Sequence, residues 1–285
     1  MTVRTLERTI AAMATSDGAG VKLRRSLGSG QAQRFDPFLM LDEFATDNPG
    51  DYIAGFPPHP HRGFETVTYM LDGHMRHEDS MGNRGDLGPG DVQWMTAARG
   101  IIHSEMPQQF EGRMRGFQLW INLPARDKMK PAAYRDVPAS QIPTLALTGG
   151  GQARLIYGRL QQGDTVTQAS FTANSVASLY VDIHLPAGAS FRAPLPAQDN
   201  AFVFLYEGDA RIGEDRKPVP HRAAGLLGLG DEVLVEAGEQ GARFLLIAGT
   251  PIGEPVVQYG PFVMNTRAEI EQAIADYQAG TLARA

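Results

Sequence analysis

Glycine and proline divide this chain of 285 residues into many short segments. Its 32 glycines and 19 prolines are spread along the whole sequence and are not collected in one linker. Between the turns, runs rich in apolar and β-branched residues recur, for example at Val67–Leu71, Ser178–Leu185 and Arg243–Ile247. Short strands separated by turn residues are typical of β-sandwiches and β-barrels, and not of alternating strand–helix units. The sequence therefore predicts an all-β protein.

Two pairs of similar tetrapeptides indicate that one β-domain occurs twice. Met70–Gly73 resembles Leu205–Gly208, and Gly88–Asp91 resembles Gly228–Asp231. The two members of each pair are separated by nearly the same length of chain, slightly more in the second pair. Two copies of one barrel, with a longer loop in the second copy, explain offsets that nearly agree. The polar, proline-punctuated stretch 131–141 is the predicted linker between them.

The C-terminal segment departs from the strand pattern. Thr266 and Glu269 form a capping-box sequence, in which each side chain can satisfy a backbone N–H group of the other residue. Apolar residues then recur at helical spacing, at Ile270, Ala273, Ile274 and Tyr277. We expect a barrel over residues 1–135, a second barrel over 136–265, and a helix with its tail over 266–285 that docks on a barrel.

Composition and charge exclude several functional classes. The chain contains no cysteine, so disulfides, thiolate metal sites and cysteine nucleophiles are excluded. Its net charge is −6, and no run of Lys and Arg marks a surface for nucleic acid or for a membrane. No apolar run is long enough to span a membrane, and residues 1–20 lack the apolar core of a secretory signal. We expect a soluble, cytoplasmic protein.

The candidate functional residues form two pairs, about forty positions apart. His59 and His61 flank one proline, and His103 and Glu105 flank one serine. Residues i and i+2 of a strand point to the same side, so each pair can direct two side chains to one point inside a barrel. Three imidazoles and a carboxylate suit Fe(II), Mn, Ni, Cu or Zn, and four protein ligands leave an octahedral ion with open positions. The spacing therefore predicts a metal centre.

The motifs around these residues resemble those of the cupin superfamily and, more narrowly, those of the pirin family. The pattern His-x-His-x3-Glu-x7-Gly from His59 to Gly73 is similar to the first cupin motif, and the spacing from Gly90 to His103 is similar to the second. Four longer segments look like pirin, namely His59–Val67, Gly90–Ala97, Arg99–Pro107 and Gly260–Thr266. The resemblance continues from Asp36 to the C-terminal helix.

This resemblance implies two cupin barrels (jelly-roll, double-stranded β-helix folds) in tandem, followed by a C-terminal α-helix. It also implies one Fe(II) ion in the N-terminal barrel, with other divalent transition metals as alternatives. The implied ligands are His59, His61, His103 and Glu105. The general cupin pattern instead nominates Glu65 as the fourth ligand; if Glu105 binds, Glu65 is a candidate for orienting an imidazole.

The second barrel lacks ligands at the positions that the two offsets suggest. Shifting the histidine pair by the offset between Met70 and Leu205 leads to Pro194 and Pro196. Shifting His103 and Glu105 by the offset between Gly88 and Gly228 leads to Arg243 and Leu245. We therefore expect no metal in the C-terminal barrel, whose role would be structural support or contact with a partner.

The resemblance implies two alternative functions. The first is a flavonol (quercetin-type) 2,4-dioxygenase, which opens the heterocycle with O2 and releases CO, with Glu105 as both ligand and base. The second is an iron-binding, redox-responsive regulator that binds a transcription factor or a metabolic enzyme. Cupin barrels host many activities, so an unrelated small-molecule substrate is a third alternative. The absence of a basic patch argues against direct nucleic-acid binding in either case.

Other conspicuous side chains are interpreted as structural. His74, His77, Glu78 and Asp79 follow a turn, and we expect them on a solvated loop rather than in a second metal cluster. Trp120 lies in a strand pattern, and we expect it in the barrel core.

Overall fold

The computed structural model describes residues 2–30, 34–173 and 175–284. Over these residues the chain is predominantly β-structure with one long C-terminal helix, which confirms the predicted all-β class. None of the helices in these ranges is long and apolar enough to cross a membrane.

The secondary structure of the described residues consists of short strands, with three longer ones in the second half of the chain. The strands are β1 (Leu6–Ala11), β2 (Met13–Asp17), β3 (Val21–Leu27), β4 (Phe38–Thr46), β5 (Phe56–His61), β6 (Phe64–Asp72), β7 (Met75–Asp79), β8 (Arg84–Leu87), β9 (Val92–Thr96), β10 (Ile101–Pro107), β11 (Met114–Asn122), β12 (Ala133–Val137), β13 (Thr144–Ala146), β14 (Gln152–Gln162), β15 (Thr165–Gln168), β16 (Ala177–Leu185), β17 (Ser190–Pro194), β18 (Asn200–Ile212), β19 (Lys217–Val219), β20 (Ala223–Leu227), β21 (Glu232–Gly249), β22 (Val257–Tyr259) and β23 (Phe262–Met264). The helices are α1 (Ala125–Lys128), α2 (Arg267–Gln278) and the 3-10 turns Pro49–Asp51 and Ala139–Gln141.

The chain divides into two compact units, and each unit is assembled from separate segments. The histidine unit, named for the residues it contains, comprises Ala14–Arg25, Phe38–Ala139 and Ile252–Ala285. The second unit comprises Met1–Met13, Ser26–Pro37 and Ser140–Pro251. Strand β1 thus belongs to the second unit, and helix α2 belongs to the histidine unit. The three contiguous domains expected from the sequence stay a prediction.

Two antiparallel sheets form most of the histidine unit. The larger sheet has the strand order β12-β9-β6-β11-β4-β3-β2, and the smaller has the order β5-β10-β7-β8. Strands β22 and β23 form a separate hairpin that precedes α2. The smaller sheet places β5, which carries the first histidine pair, directly beside β10, which carries the second candidate pair.

The second unit is built on one extended antiparallel sheet around an apolar core. Its main strand order is β1-β20-β18-β21-β16-β14-β13, with β15, β17 and β19 paired to β14, β21 and β18. The core contains Leu, Ile, Val, Phe and Ala side chains, among them the fully buried Leu155, Val203 and Phe244. Burial of apolar surface is the main stabilising contribution here.

The predicted capping box at the start of α2 is present. The Glu269 backbone N–H donates to Thr266 Oγ1 over 3.2 Å, and the Thr266 backbone N–H donates to Glu269 Oε2 over 2.8 Å. On the buried face of the helix, Ile270 and Ala273 pack against Phe262 of β23. The helix is therefore fixed both at its first turn and along one apolar face.

The two pairs of similar tetrapeptides that indicated the repeat do not correspond equally well in the structure. Gly73 and Gly208 both adopt a left-handed φ, of +88° and +75°. Gly88–Asp91 precedes β9, which pairs with β6 and β12. Gly228–Asp231 precedes β21 instead. In the second unit the counterpart of β9 is β20, which pairs with β18 and β1 and lies before the Gly228–Asp231 turn. The offset between these two turns is therefore wrong as a guide to equivalent positions, because this turn sequence suits more than one strand start.

Candidate metal centre

Three histidines on two neighbouring strands converge on one point. In the antiparallel pair of β5 and β10, His103 lies opposite His59, and Ile101 lies opposite His61. The nitrogen atoms that the three rings offer lie within 4.8 Å of one another, and His59 Nε2 is 3.1 Å from His61 Nε2. An ion that binds imidazole at about 2.1 Å separates neighbouring octahedral ligands by about 3.0 Å. The His59 and His61 nitrogens are thus spaced as neighbouring ligands of one ion require, and a His103 nitrogen lies within 4.8 Å of both.

The orientation of His59 is fixed by the backbone of its own strand. His59 Nδ1 lies 2.8 Å from the carbonyl oxygen of Pro57. A carbonyl only accepts hydrogen bonds, so Nδ1 carries a hydrogen, and in the neutral ring the lone pair is then on Nε2. This is the arrangement in which a histidine binds a metal through Nε2.

Burial keeps the other two imidazoles neutral. His61 is 3% exposed and His103 is 1% exposed. Burial lowers the pKa of both rings well below the usual range, and neighbouring histidines lower it further, His59 beside His61 and His61 beside His103. A neutral imidazole offers a lone pair, whereas a protonated one cannot bind a metal.

Two buried ring nitrogens of the cluster, His61 Nδ1 and His103 Nε2, lack a hydrogen bond in the part of the chain that the structure describes. His103 Nε2 has no such partner, although the ring is almost fully buried. An unsatisfied buried polar atom costs about 1–3 kcal/mol, and coordination to an ion would remove that cost. The three donors therefore fit a divalent transition ion of the type that prefers imidazole. No second group of three close His, Cys, Asp or Glu ligands occurs over the described ranges.

Glu105 is buried beside this cluster but is not one of its mutually close ligands. Strand β10 shifts register against β5 between His103 and Glu105, which places Glu105 opposite Phe56. Gln118 Nε2 donates to Glu105 Oε1 and Oε2 over 3.3 and 3.0 Å. Thr68 Oγ1 lies 3.0 Å from Glu105 Oε1 and 2.8 Å from Gln118 Oε1, and its single proton can serve only one of them. The role of Glu105 as fourth ligand stays a prediction.

The alternative carboxylate, Glu65, is directed elsewhere. Glu65 Oε1 accepts hydrogen bonds from Trp94 Nε1 over 3.2 Å and from Thr96 Oγ1 over 2.7 Å. Glu65 and Thr68 stand three positions apart on β6, so strand alternation puts them on opposite faces of the sheet. Because Thr68 contacts Glu105, Glu65 lies on the face away from that carboxylate.

The structure overturns the expectation for His77. Strand β7 pairs with β10 and places Asp79 opposite His103. His77 is fully buried, and its Nδ1 lies 3.3 Å from His103 Nδ1. His74 and Glu78 are exposed, as expected for a solvated loop, whereas the prediction is wrong for His77 and Asp79, whose side chains are buried. His77 therefore contacts His103, a candidate metal ligand, directly.

Trp120 also differs from its expected place in the core. It is only half-buried, and its ring lies 5.2 Å from the ring of His61, edge to face. The Phe64 ring lies 4.3 Å from Trp120 and 5.0 Å from His61. Two aromatic side chains therefore form a wall beside the cluster.

The C-terminal arm, residues 260–265 before α2, holds the end of strand β5. Arg62 follows His61 directly; its carbonyl accepts a hydrogen bond from the Val263 backbone N–H over 3.0 Å, and its own N–H donates to the Pro261 carbonyl over 3.3 Å. Its guanidinium forms an ion pair with Asp276 of α2, at 2.7 Å. The residues around His61 are thus fixed by both the arm and the helix.

A buried lysine strengthens this attachment. Lys128 Nζ donates to the carbonyl of Gly63 over 2.6 Å, to Asn122 Oδ1 over 2.6 Å and to the carbonyl of Val263 over 3.0 Å. Burial lowers the pKa of Lys128 to about 8. Gly63 adopts φ +92°, and a Cβ there would collide with the Val263 carbonyl, so only glycine allows this close approach.

Comparisons with known proteins extend over almost the whole chain. Residues 20–121 match the Pirin family and residues 180–283 match the Pirin C-terminal cupin domain. A protein of Pseudomonas aeruginosa named "Putative quercetin 2,3-dioxygenase" is 54% identical over 269 residues, which are 94% of each chain. Pirin of Homo sapiens is 43% identical over 268 residues, which are 92% of this chain and 88% of the human protein.

Solved structures show the same architecture. The crystal structure of quercetin 2,3-dioxygenase from Acinetobacter baumannii superimposes with a TM-score of 0.89 at 31% identity, covering 99% of both chains. The expected fold, two cupin domains followed by a C-terminal helix, is thereby confirmed.

Proposed function

The chain belongs to the pirin family, and on that premise we propose that it is a metal-dependent dioxygenase of flavonols of the quercetin type. The observation that carries the proposal is the convergence of three imidazoles, two of them kept neutral by burial and one with a buried Nε2 that lacks a hydrogen bond within the described residues. The substrate class is taken from the names of the Pseudomonas and Acinetobacter proteins.

We propose that His59, His61 and His103 bind one Fe(II) ion, or another divalent transition ion, with Glu105 as the fourth ligand. An ion held there supplies Lewis acidity for a substrate hydroxyl and open positions for two reactants. The buried carboxylate of Glu105 beside the imidazoles supports this choice over Glu65, whose Oε1 is engaged by Trp94 and Thr96 on the other face of β6.

Glu105 is also the proposed base. A flavonol hydroxyl must lose a proton to become a nucleophilic oxyanion, and a buried carboxylate next to the histidines can accept that proton. Gln118 orients the carboxylate by donating to both of its oxygens, and it cannot itself take the proton. Gln118 thus fixes the orientation of the Glu105 carboxylate, which is the proposed base.

The aromatic wall beside His61 accounts for binding of a flat substrate. Trp120 is partly exposed and lies against His61, and the fully buried Phe64 supports it from behind. Flavonols are planar and aromatic, so they gain dispersion and hydrophobic contact on such a surface. The same wall keeps water from one side of the reacting ring.

In the proposed reaction the heterocycle takes up one O2 and loses one carbon atom as CO. Both oxygen atoms of O2 are added to the heterocycle, at C2 and C4; the C2–C3 and C3–C4 bonds break, and C3 leaves as CO. Cleavage of the C2–C3 bond alone, with oxygen at C2 and C3, would keep all carbons in the product. Detection of CO therefore separates 2,4-cleavage from 2,3-cleavage.

The test begins with protein loaded anaerobically with Fe(II). Quercetin and O2 are added, and the loss of flavonol absorbance and the CO in the head space are followed together. We expect turnover of at least about 1 per second and one CO for each quercetin consumed. Negligible turnover of several flavonols by fully loaded protein would contradict the proposal, and oxidation-dependent capture of a protein would then favour the regulator.

A further inference from the structure

The candidate ligands differ in what their second ring nitrogen contacts. His59 Nδ1 faces the Pro57 carbonyl, which can only accept a hydrogen bond. His103 Nδ1 instead faces another imidazole nitrogen, His77 Nδ1, at 3.3 Å. In a contact between two imidazole nitrogens, one must carry the hydrogen and the other the lone pair. The state of His77 therefore determines which nitrogen of His103 is free.

A buried carboxylate lies at the far side of His77. Asp79 Oδ2 is 3.6 Å from His77 Nε2, and both side chains are fully buried. This distance exceeds hydrogen-bond length, but a negative charge so close in a buried place favours a proton on Nε2. His77 Nε2 has no other partner among the described residues.

Both groups are held in place by their neighbours. Asp79 Oδ1 accepts the backbone N–H groups of Met81 and Asn83, and Oδ2 accepts from Asn83 Nδ2 over 2.8 Å. The Tyr134 ring lies nearly parallel to His77, with centroids 4.8 Å apart. The Tyr134 hydroxyl donates to Asp136 over 2.5 Å, which fixes the ring that covers His77.

From this geometry we propose that His77, with Asp79 behind it, is a positioning residue that fixes the tautomer of His103. Asp79 favours the proton on His77 Nε2, so His77 Nδ1 presents its lone pair to His103. His103 then carries its proton on Nδ1 and directs the Nε2 lone pair towards His59 and His61. The inference rests on the proposed function, because it takes His103 to be a metal ligand.

The opposite tautomer would be unfavourable for two reasons. It would place a hydrogen on His103 Nε2, where no acceptor lies within hydrogen-bond reach over the described chain. It would also block metal binding through that nitrogen. Outer partners of this kind typically change metal affinity by about 10–100-fold, so His77 should affect ion binding without touching the ion.

Two substitutions separate hydrogen bonding from packing. His77→Phe keeps a flat ring against Tyr134 but removes the acceptor, whereas His77→Asn places an amide oxygen near the position of Nδ1. We expect His77→Phe to weaken Fe(II) binding by about 10–100-fold, measured anaerobically against a chromophoric chelator. His77→Asn should recover most of that loss. His74→Phe, at an exposed histidine, is the matched control and should leave the Fe(II) affinity as in the wild type.

The tautomer itself is read in the metal-free protein. Two-bond proton–nitrogen correlation spectra of 15N-labelled protein should show His103 protonated at Nδ1 and unprotonated at Nε2, with mixed tautomers in His77→Phe. A proton on His103 Nε2 in the wild type would overturn the inference. So would a His77→Phe variant with unchanged tautomer and unchanged Fe(II) affinity.

These outcomes differ from failure of the proposed function. If loaded protein turns over no flavonol while the tautomer and the affinity loss are as expected, the activity is wrong and the positioning role stands. If the wild type binds no Fe(II), the metal centre is wrong, and the spectrum of the wild type alone tests the tautomer. If His77→Phe does not fold, the tautomer in the wild-type spectrum and the Fe(II) affinity of His77→Asn test the inference.

Discussion

The two units use the same place in the fold for different purposes. In the histidine unit, β5 and β10 precede and follow the long strand β6, and they bring three imidazoles together. In the second unit, β17 and the first part of β21 hold the same places around β18. They contribute Phe191, Ala193, Val233 and Val235 to an apolar core. One strand pair can thus support either polar chemistry or hydrophobic packing.

This contrast shows what a binding centre requires of a barrel. Burying imidazoles and a carboxylate forgoes hydrophobic stabilisation and demands hydrogen-bond partners. The histidine unit supplies these partners through Gln118, Thr68 and the pair of His77 and Asp79. The second unit needs none at the equivalent strands, because its side chains there are apolar. Arg243, expected from the offset between the two turns, is not the equivalent position, because the turn before β21 does not correspond to the turn before β9.

The strongest test of the contrast removes one imidazole. We expect His103→Ala to lower Fe(II) affinity by more than about 100-fold, since loss of an outer partner alone costs about 10–100-fold. Metal content after dialysis and flavonol turnover measure the effect. Val235→Ala is the matched change in β21 and should leave the metal content as in the wild type. Equal metal loss in both variants would contradict the division of roles.

A second test asks whether Glu105 does more than bind the ion. We expect Glu105→Gln to lower turnover by about 10²–10⁴-fold, the usual contribution of a positioned base, while Fe(II) loading falls less than turnover. Glu236→Gln changes a carboxylate on the corresponding strand of the second unit and should not affect turnover. Parallel loss of loading and turnover in Glu105→Gln would argue against the double role.

The core of the second unit should contribute to the free energy of unfolding and not to metal binding. Phe244 is fully buried in that core, so Phe244→Ala should lower the free energy of unfolding by about 3–5 kcal/mol. Urea denaturation gives this value, and metal analysis of the folded variant should still give the wild-type stoichiometry. Loss of metal with an unchanged denaturation midpoint would show that this core serves the metal centre instead.

The smallest expected effect concerns the buried lysine of the histidine unit. Burial lowers the pKa of Lys128 to about 8, so between pH 8 and its unfolded pKa of about 10.4 the unfolded chain binds more protons. The stability contribution of Lys128 should therefore rise over that pH range, by at most about 3 kcal/mol. Urea denaturation of metal-free wild type and Lys128→Gln at pH 7.5 and 10 measures the difference. A difference that stays flat or falls with pH would contradict this interpretation.

Local patterns made much of the fold predictable. Strand-length apolar runs between glycines and prolines indicated the all-β class, and the Thr266–Glu269 box indicated the start of α2, because both depend on neighbouring residues. The i, i+2 spacing of His59 and His61 indicated for the same reason that they share one side of a strand, whereas their convergence with His103 was expected only if the two strands lie side by side. The interleaving of the two units was not predictable, because it depends on pairings between distant parts of the sequence, such as that of the N-terminal β1 with β20.

The finer structure of the site depended on register and burial. A register shift between β5 and β10 places Glu105 opposite Phe56, although β10 stays in regular register with β7, and spacing alone gives no sign of that shift. His77 was missed because it follows a turn closely. The alternation in β7, with Met75 and His77 buried and Arg76 and Glu78 more exposed, is the signal that could have found it.

The location of the bound ion decides whether the three histidines form a metal centre. Crystals grown with Fe(II) under anaerobic conditions, measured at wavelengths on either side of the iron absorption edge, give a map in which iron alone stands out. We expect one peak in each chain, within coordination distance of nitrogen atoms of His59, His61 and His103, and no peak in the second unit. Full iron content with no peak at these three histidines would contradict the proposed centre.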